Sequence, residues 1–292
     1  MTTVAIDNKV KQVVTNIRNL PTPPIVFDQI QKVINSPNAS AAQVASLLAE
    51  DPAMSVKVLK LTNSAFYGLS REIDSVKQAV VIIGMEAVKN LVLSASVLDM
   101  FRGDKSDKEF TEKFWRHSLA TAFCSRILAR KATARVTIDP DAAFSAGLLH
   151  DIGKIVVCSY LHAEYIRFNE ARLKDKARET FVIENEVLGF NHAQIGAVLT
   201  TQWKLPSMLI EAIANHHTPR ESTEPLCALV NLANWMAKST FYTPSEDYLI
   251  GELDVAVPAR LGLTNDELEP IKDALREEYL KSETFMKMAG LS

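Results

Sequence analysis

Apolar residues recur at intervals of three and four over most of the chain, the spacing that gathers them on one face of an α-helix. Ala53, Val56, Leu59 and Asn63 share one such face, and Phe114, His117, Cys124 and Leu128 share another. Helix starts are marked as well. Ser40-x-x-Gln43 and Thr264-x-x-Glu267 read as capping boxes, while Asp51-Pro52 and Asp139-Pro140 set an N-cap before a first-turn proline. No alternating run suited to a half-buried strand extends beyond a few residues. VTI at 136–138 and KIVVCSY at 154–160 are the strand-like pieces, and both are short. The pattern predicts an all-α fold.

Composition agrees. Only 10 glycines occur among 292 residues, well below the ordinary share of about 7%, which argues against a turn-rich β-sandwich or barrel. Apolar residues at 47% and charged residues at 23% allow a sizeable core and exclude wholesale disorder. A net charge of −3 removes the usual electrostatic source of non-specific nucleic-acid binding, so no nucleic-acid partner is expected. The most apolar stretch, residues 76–101, carries Lys77, Glu86, Lys89 and Asp99. It therefore reads as buried helices, not a membrane span. The opening MTTVAIDNKVKQVV has neither a basic n-region nor an apolar h-region, so no signal peptide is expected. Cys124, Cys158 and Cys227 are odd in number and lack CxxC spacing. They point to small core residues in a reducing compartment, and hence to a cytoplasmic location.

The chemistry is unevenly distributed. The polar stretch RGDKSDKE at 102–109 divides about five helices without a single histidine from a second region holding all six: His117, His150, His162, His192, His216 and His217. This places an N-terminal helical subdomain at 1–105, a histidine-bearing helical domain at 106–240, and a C-terminal extension at 241–292 read as a loop followed by a helix from Asn265. Within the first region, residues 20–24 (LPTPP) read as a stiff connector, and Asn63 and Ser64 as internal hydrogen-bond anchors to a neighbouring turn.

The sharpest signal is His150-Asp151 in AGLLHDIGK. An adjacent imidazole and carboxylate at a helix end can both reach one metal ion, and this donor set suits Fe, Mn, Zn or Ni. Ala143, Ala146 and Gly147 give the same helix a small-residue face, so a neighbour can approach closely. His117 interrupts an apolar stripe. His192 follows the good N-cap Asn191 and shares a face with Ile195, Leu199 and Trp203. His216 and His217 end a helix begun at Pro206. Four helices thus aim imidazoles inward, where unpaired polar groups are costly. His162, beside Glu164 and Arg167, is read as an ordinary structural residue.

His117 followed by HDIGK at 150–154 is similar to the HD superfamily of metal-dependent phosphohydrolases. LPTPP at 20–24, DPAMSVKVLKLTNSAFYG at 51–68, IDSVKQAVVIIGMEAVKNLVL at 73–93 and ENEVLGFNHAQIGAVLTTQWKLPSMLIEAIANHH at 184–217 narrow the resemblance to the HDOD (HD-related output domain) family. That resemblance implies an N-terminal helical subdomain packed on an HD-like helical core, in a bacterial signalling protein that acts through protein or nucleotide-type ligand contacts. Many members lack the catalytic residues, whereas this chain retains His117, His150, Asp151, His192, His216 and His217. These resemble the ligand set of the HD-GYP phosphodiesterases, which implies one or two divalent ions with Asp151 placed to bridge them. Two features depart from that pattern. TPRES follows His217 in place of a GYP motif, and Asn234 stands where the superfamily has its closing aspartate. An amide is a weaker ligand without charge, so recognition is expected to dominate and phosphohydrolysis is the alternative. Were hydrolysis to occur, Asp151 would be central. Lys154 would either meet a phosphate oxygen or sit solvated at a helix end.

Overall fold

The structure, a computed structural model, describes residues 7–101, 108–132, 136–242 and 250–290. Among them it contains no strand. The helices are α1 (Asn8–Thr15), α2 (Ile25–Ile34), α3 (Ala41–Ala49), α4 (Pro52–Thr62), α5 (Val76–Ile83) and α6 (Met85–Met100). Then come α7 (Lys108–Ala132), α8 (Pro140–Leu149), α9 (Ile152–Tyr160), α10 (His162–Lys174), α11 (Thr180–Leu188) and α12 (His192–Gln202). The last are α13 (Ser207–Asn215), α14 (Pro225–Phe241), α15 (Ala256–Arg260), α16 (Leu268–Leu280) and α17 (Glu283–Met288). The strand-like KIVVCSY is helical, lying in α9. Its β-branched residues are buried together (Ile155, Val156 and Val157), and a helix enclosed on several sides needs no polar face.

Two compact units emerge, one from the described residues within Pro21–Gly103 and Glu277–Ser292, the other from those within Met1–Leu20 and Asp104–Arg276. This differs from the division read off the sequence at both ends. The start of the chain, with α1 packing on α12, joins the histidine-bearing unit, and α17 packs on α4 and α6 in the other. Among its described residues the C-terminal stretch also holds three α-helices where one helix was expected. Most of the polar stretch at 102–109 lies outside the described residues.

In the first unit α6 is buried from Ala87 to Leu98, and Phe66 meets Phe285 edge-on at 5.1 Å between ring centres. Asn63 acts as the expected anchor. Its amide nitrogen donates to the Ile73 carbonyl at 2.7 Å and its oxygen accepts from the Ile73 N–H at 2.7 Å, although the residue as a whole is exposed. Ser64 donates to the Leu61 carbonyl at 2.6 Å. The apolar run at 76–100 is bent by 119° between α5 and α6, where Gly84 adopts a φ of 91° that favours glycine.

In the second unit α7 is the long central helix, packed against α8 and α14. Its contact with α8 depends on Gly147, where a Cβ would lie 2.6 Å from Ser125 Oγ and 2.8 Å from Ala122 Cα. The contact of α9 with α12 depends likewise on Gly153, where a Cβ would lie 2.0 Å from the His192 carbonyl oxygen. These two close approaches draw α7, α8, α9 and α12 to one point. The helical stretch Pro140–Tyr160 is long and apolar enough to cross a membrane, but 83% of an apolar 18-residue window within it is buried in the protein itself. All three cysteines are buried, and none of them forms a disulfide.

Candidate metal centre

His150 and Asp151 sit at the junction of α8 and α9. Asp151 is the N-cap of α9, the position where an aspartate ordinarily accepts a backbone N–H, yet its side chain makes no capping bond. Its carboxylate, 1% exposed, turns instead into a ring of imidazoles. His192 Nε2 lies 3.0 Å and His216 Nε2 3.6 Å from Oδ1. His150 Nε2 lies 3.3 Å and His117 Nε2 3.7 Å from Oδ2. His217 completes the group, its Nε2 2.8 Å from His192 Nε2 and its ring stacked on Phe181.

Each helix end supplies the means of aiming its ring. Asn191 and Gln194 form a full capping box that fixes His192 in the first turn of α12. The segment after α13 is held by Asn231, which donates to the His216 carbonyl at 2.7 Å, and by Arg260, which donates to the Pro219 carbonyl at 2.6 Å.

The proton positions follow from the partners. His150 Nδ1 lies 2.7 Å from the Gly147 carbonyl and His216 Nδ1 2.8 Å from the Ile213 carbonyl. A carbonyl only accepts, so both rings carry their proton on Nδ1 and present a bare Nε2. His192 Nδ1 lies 2.5 Å from Glu184 Oε2, the carboxylate–histidine pairing that orients metal-binding imidazoles. Meanwhile His150 Nε2, His216 Nε2 and Asp151 Oδ1 are buried without a hydrogen-bond partner. Oδ1 and His192 Nε2 are close but not aligned as donor and acceptor. Lone pairs facing a carboxylate across such distances repel unless a cation lies among them. The donor set therefore fits a metal ion, and two overlapping groups share Asp151: Asp151, His192, His216 and His217, and His117, His150 and Asp151.

Electrostatics point the same way. Burial holds His216 down to about 3, and burial, reinforced by His216 and His192, holds His217 well below its ordinary value. Burial and His150 do the same for His117. These rings stay neutral near pH 7, as ligands must. Burial also opposes a charge on His192, but Glu184 and then Asp151 outweigh it and raise this ring. For Asp151, burial alone would raise the carboxyl; His150, Lys154 and His192 together hold it well below the carboxylate range.

Lys154 is neither a solvated helix-end lysine nor turned away from the cluster. Its Nζ lies 2.6 Å from Asp151 Oδ2. Asn234 is buried on α14 with Oδ1 unpartnered, lining a polar pocket of about 160 Å³ with His217 and Lys238. Burial, with Lys154 nearby, brings the Lys238 ammonium down to about 8. His162 is exposed at the start of α10, apart from the cluster. Glu184 escaped the sequence reading, because its burial eight residues before His192 shows only in the structure.

A cleft of about 340 Å³ opens over the cluster, with His117 and Asp151 in its lining. Lys113, Lys154 and Arg172 contribute cations to its wall, and Phe110, Phe114 and Tyr165 contribute aromatic rings.

Known proteins share this architecture. The HDOD domain family matches residues 20–219, and the chain belongs to that family. The crystal structure of an HDOD domain protein from Geobacter sulfurreducens superposes with a TM-score of 0.76 at 21% identity, covering 96% of each chain. That of a candidate phosphohydrolase from Shewanella amazonensis SB2B gives 0.75 at 23% identity, over 97% of this chain and 98% of that one. Ribonuclease Y from Bacillus licheniformis is 31% identical over 119 residues, or 41% of this chain. The chain spans less than half the length of the curated relatives it matches: 17% of that enzyme, and 42% of a Treponema pallidum protein that is 27% identical over 221 residues.

Proposed function

We propose that this HDOD-family chain is a signal-transduction protein whose helical core holds a divalent transition metal and recognises a phosphate-bearing, nucleotide-type ligand in the cleft above it. One observation carries the reading: four buried imidazole Nε2 atoms lie within 3.7 Å of a single carboxylate, and in three of those rings Nδ1 is committed to another acceptor. Fe, Mn, Zn and Ni all suit such a nitrogen-rich site. The cations and aromatic rings of the cleft suit a phosphate and a flat base respectively. Three buried cysteines without a disulfide support a reducing, cytoplasmic setting.

Recognition is favoured over turnover because the ligand atoms include one carboxylate only, with the Asn234 amide at the closing position. The second reading, hydrolysis of a phosphate ester of that ligand, draws on the cleft floor, where His117 and Asp151 are both accessible from the cavity. A bound divalent ion would supply Lewis acidity toward a phosphate oxygen. Asp151 would anchor it, and Lys154 would bring a fixed positive charge to the floor of the cleft.

The test is elemental analysis of tag-free protein, followed by calorimetric titration with mononucleotides and cyclic dinucleotides. About one equivalent of metal, with nucleotide binding lost on chelation, is expected. Less than a tenth of an equivalent after reconstitution would overturn the proposal. Rapid hydrolysis of a cyclic dinucleotide, abolished by Asp151→Ala, would replace recognition with the second reading.

A further inference from the structure

The two carboxylate oxygens of Asp151 face different company. Oδ1 meets His192 and His216, with His217 beside His192, and makes no hydrogen bond. Oδ2 meets His150 and His117, but it already holds the Lys154 ammonium at 2.6 Å. That is the distance of a strong charge-assisted bond. The two ligand groups that share Asp151 divide along the same line. The Oδ1 side offers three imidazoles and a bare oxygen. The Oδ2 side offers two imidazoles and an oxygen whose cation is already present.

We infer that the centre holds one metal ion, on the Oδ1 side between Asp151, His192, His216 and His217, and that the Lys154 ammonium stands on the Oδ2 side where a second ion would otherwise bind. This rests on the metal-binding reading above and narrows it from one or two ions to one, in a stated place. The charge balance supports it. Among the described residues Asp151 is the sole carboxylate in the two ligand groups, and Glu184, behind His192, is a second acidic group in direct contact with a ligand ring. Together they match a single divalent ion. A second ion would face that same pair of negative charges with Lys154 already on Asp151, and like charges so close in a dry site repel strongly. Lys154 is held for this role by its place one turn after Asp151 on α9, with a side chain only 19% exposed.

Metal stoichiometry decides the matter without recourse to activity. Tag-free protein reconstituted with excess Mn²⁺ and desalted should retain one equivalent, with the electron paramagnetic resonance of an isolated ion. His117→Ala, on the Oδ2 side, should leave that equivalent in place, while His216→Ala should remove it or weaken binding at least tenfold. Lys154→Met should admit a second equivalent, visible as a spin-coupled pair, and adding His117→Ala should return the count to one. Two equivalents in the wild type would overturn the inference, as would loss of the ion in His117→Ala with retention in His216→Ala. A count fixed at one in folded Lys154→Met would remove lysine from the role assigned to it. If Lys154→Met does not fold, the His117→Ala and His216→Ala pair still decides which side holds the ion. No retained metal in any form would refute the metal-binding reading itself, an outcome distinct from all of these.

Discussion

Glu184 grips His192 twice: one carboxylate oxygen, Oε2, accepts the backbone N–H at 2.9 Å and lies 2.5 Å from ring Nδ1. The glutamate therefore fixes both the start of α12 and the tautomer of the ring, leaving Nε2 to face Asp151. It does so from α11, an element that contributes no ligand atom of its own.

Glu184→Gln should weaken metal binding by about 10- to 100-fold, the usual cost of losing a carboxylate behind a ligating imidazole. The amide oxygen can still accept both hydrogen bonds, so the fold should persist with unchanged circular dichroism. Competition with a calibrated chelator measures the affinity. A change under twofold would mean that Glu184 merely fills space.

The metal-free protein should lose stability as the pH falls below about 6.5. Burial, with neighbouring imidazoles, depresses His117, His216 and His217 in the folded state, His216 to about 3. In the unfolded chain these rings take up protons near 6.5, so below that value the unfolded state binds more protons and acid favours it. His192 has the opposite sign. Its folded value is raised, so its contribution is complete below about 6.5 and fades as the pH climbs through that folded value. Asp151 is silent in this window, because its contribution is lost only as the pH falls through a folded value below the carboxylate range. Three rings against one predict a melting temperature that drops between about pH 7 and 5 in chelator-treated protein. A flat or rising melting temperature would contradict the assignment.

Much of this was legible in the sequence because it is local. The capping residues Ser40, Asp51 and Asp139 all accept the backbone bonds expected of them, and their signal is contained within four residues. The histidines were legible for a different reason, since an imidazole breaking an apolar stripe marks a buried polar group that needs partners. What the sequence hid depends on distant packing. Nothing near Glu184 announces that α11 will deliver it to His192. Nothing near Lys154 says which oxygen of Asp151 it will take. The grouping of α1 with the histidine-bearing unit and of α17 with the other joins segments from opposite ends of the chain, with no local pattern to mark it.

Gly153→Ala should be among the most damaging single changes. The added Cβ would lie 2.0 Å from the His192 carbonyl oxygen and 2.9 Å from the Gly196 backbone nitrogen. Both are backbone atoms that cannot rotate away, so α9 and α12 must separate. Overpacking of this kind costs about 3 kcal/mol or more, and the separation moves His192 away from Asp151, so metal retention should fall together with the melting temperature. Asn63→Ala is the comparison, since it removes two bonds to Ile73 in the other unit. It should cost about 1–2 kcal/mol and leave metal content unchanged. Full metal retention in Gly153→Ala would show that the α9–α12 contact does not set the site.

His216→Ala separates a metal ligand from a packing residue. If the ring only fills the core, its removal leaves the Ile213 carbonyl without its partner at 2.8 Å and opens a small cavity, a cost of about 1–3 kcal/mol that is the same with or without metal. If the ring holds the ion on the Oδ1 side of Asp151, the variant also loses the stabilisation that comes from binding the folded state alone. That amounts to about 2.7 kcal/mol when free metal stands a hundredfold above its dissociation constant. The metal-dependent part should then lower the melting temperature of loaded protein by roughly 5 °C or more. In chelator-treated protein the effect should be much smaller, because an Nε2 facing a carboxylate without an intervening cation is itself unfavourable, and its removal relieves that repulsion. Wild type and variant, each melted with and without chelator, form a four-way comparison in which the metal-dependent part is isolated by difference. Equal destabilisation in both conditions would identify His216 as a packing residue and leave Asp151 with a ring of imidazoles that serve no ion.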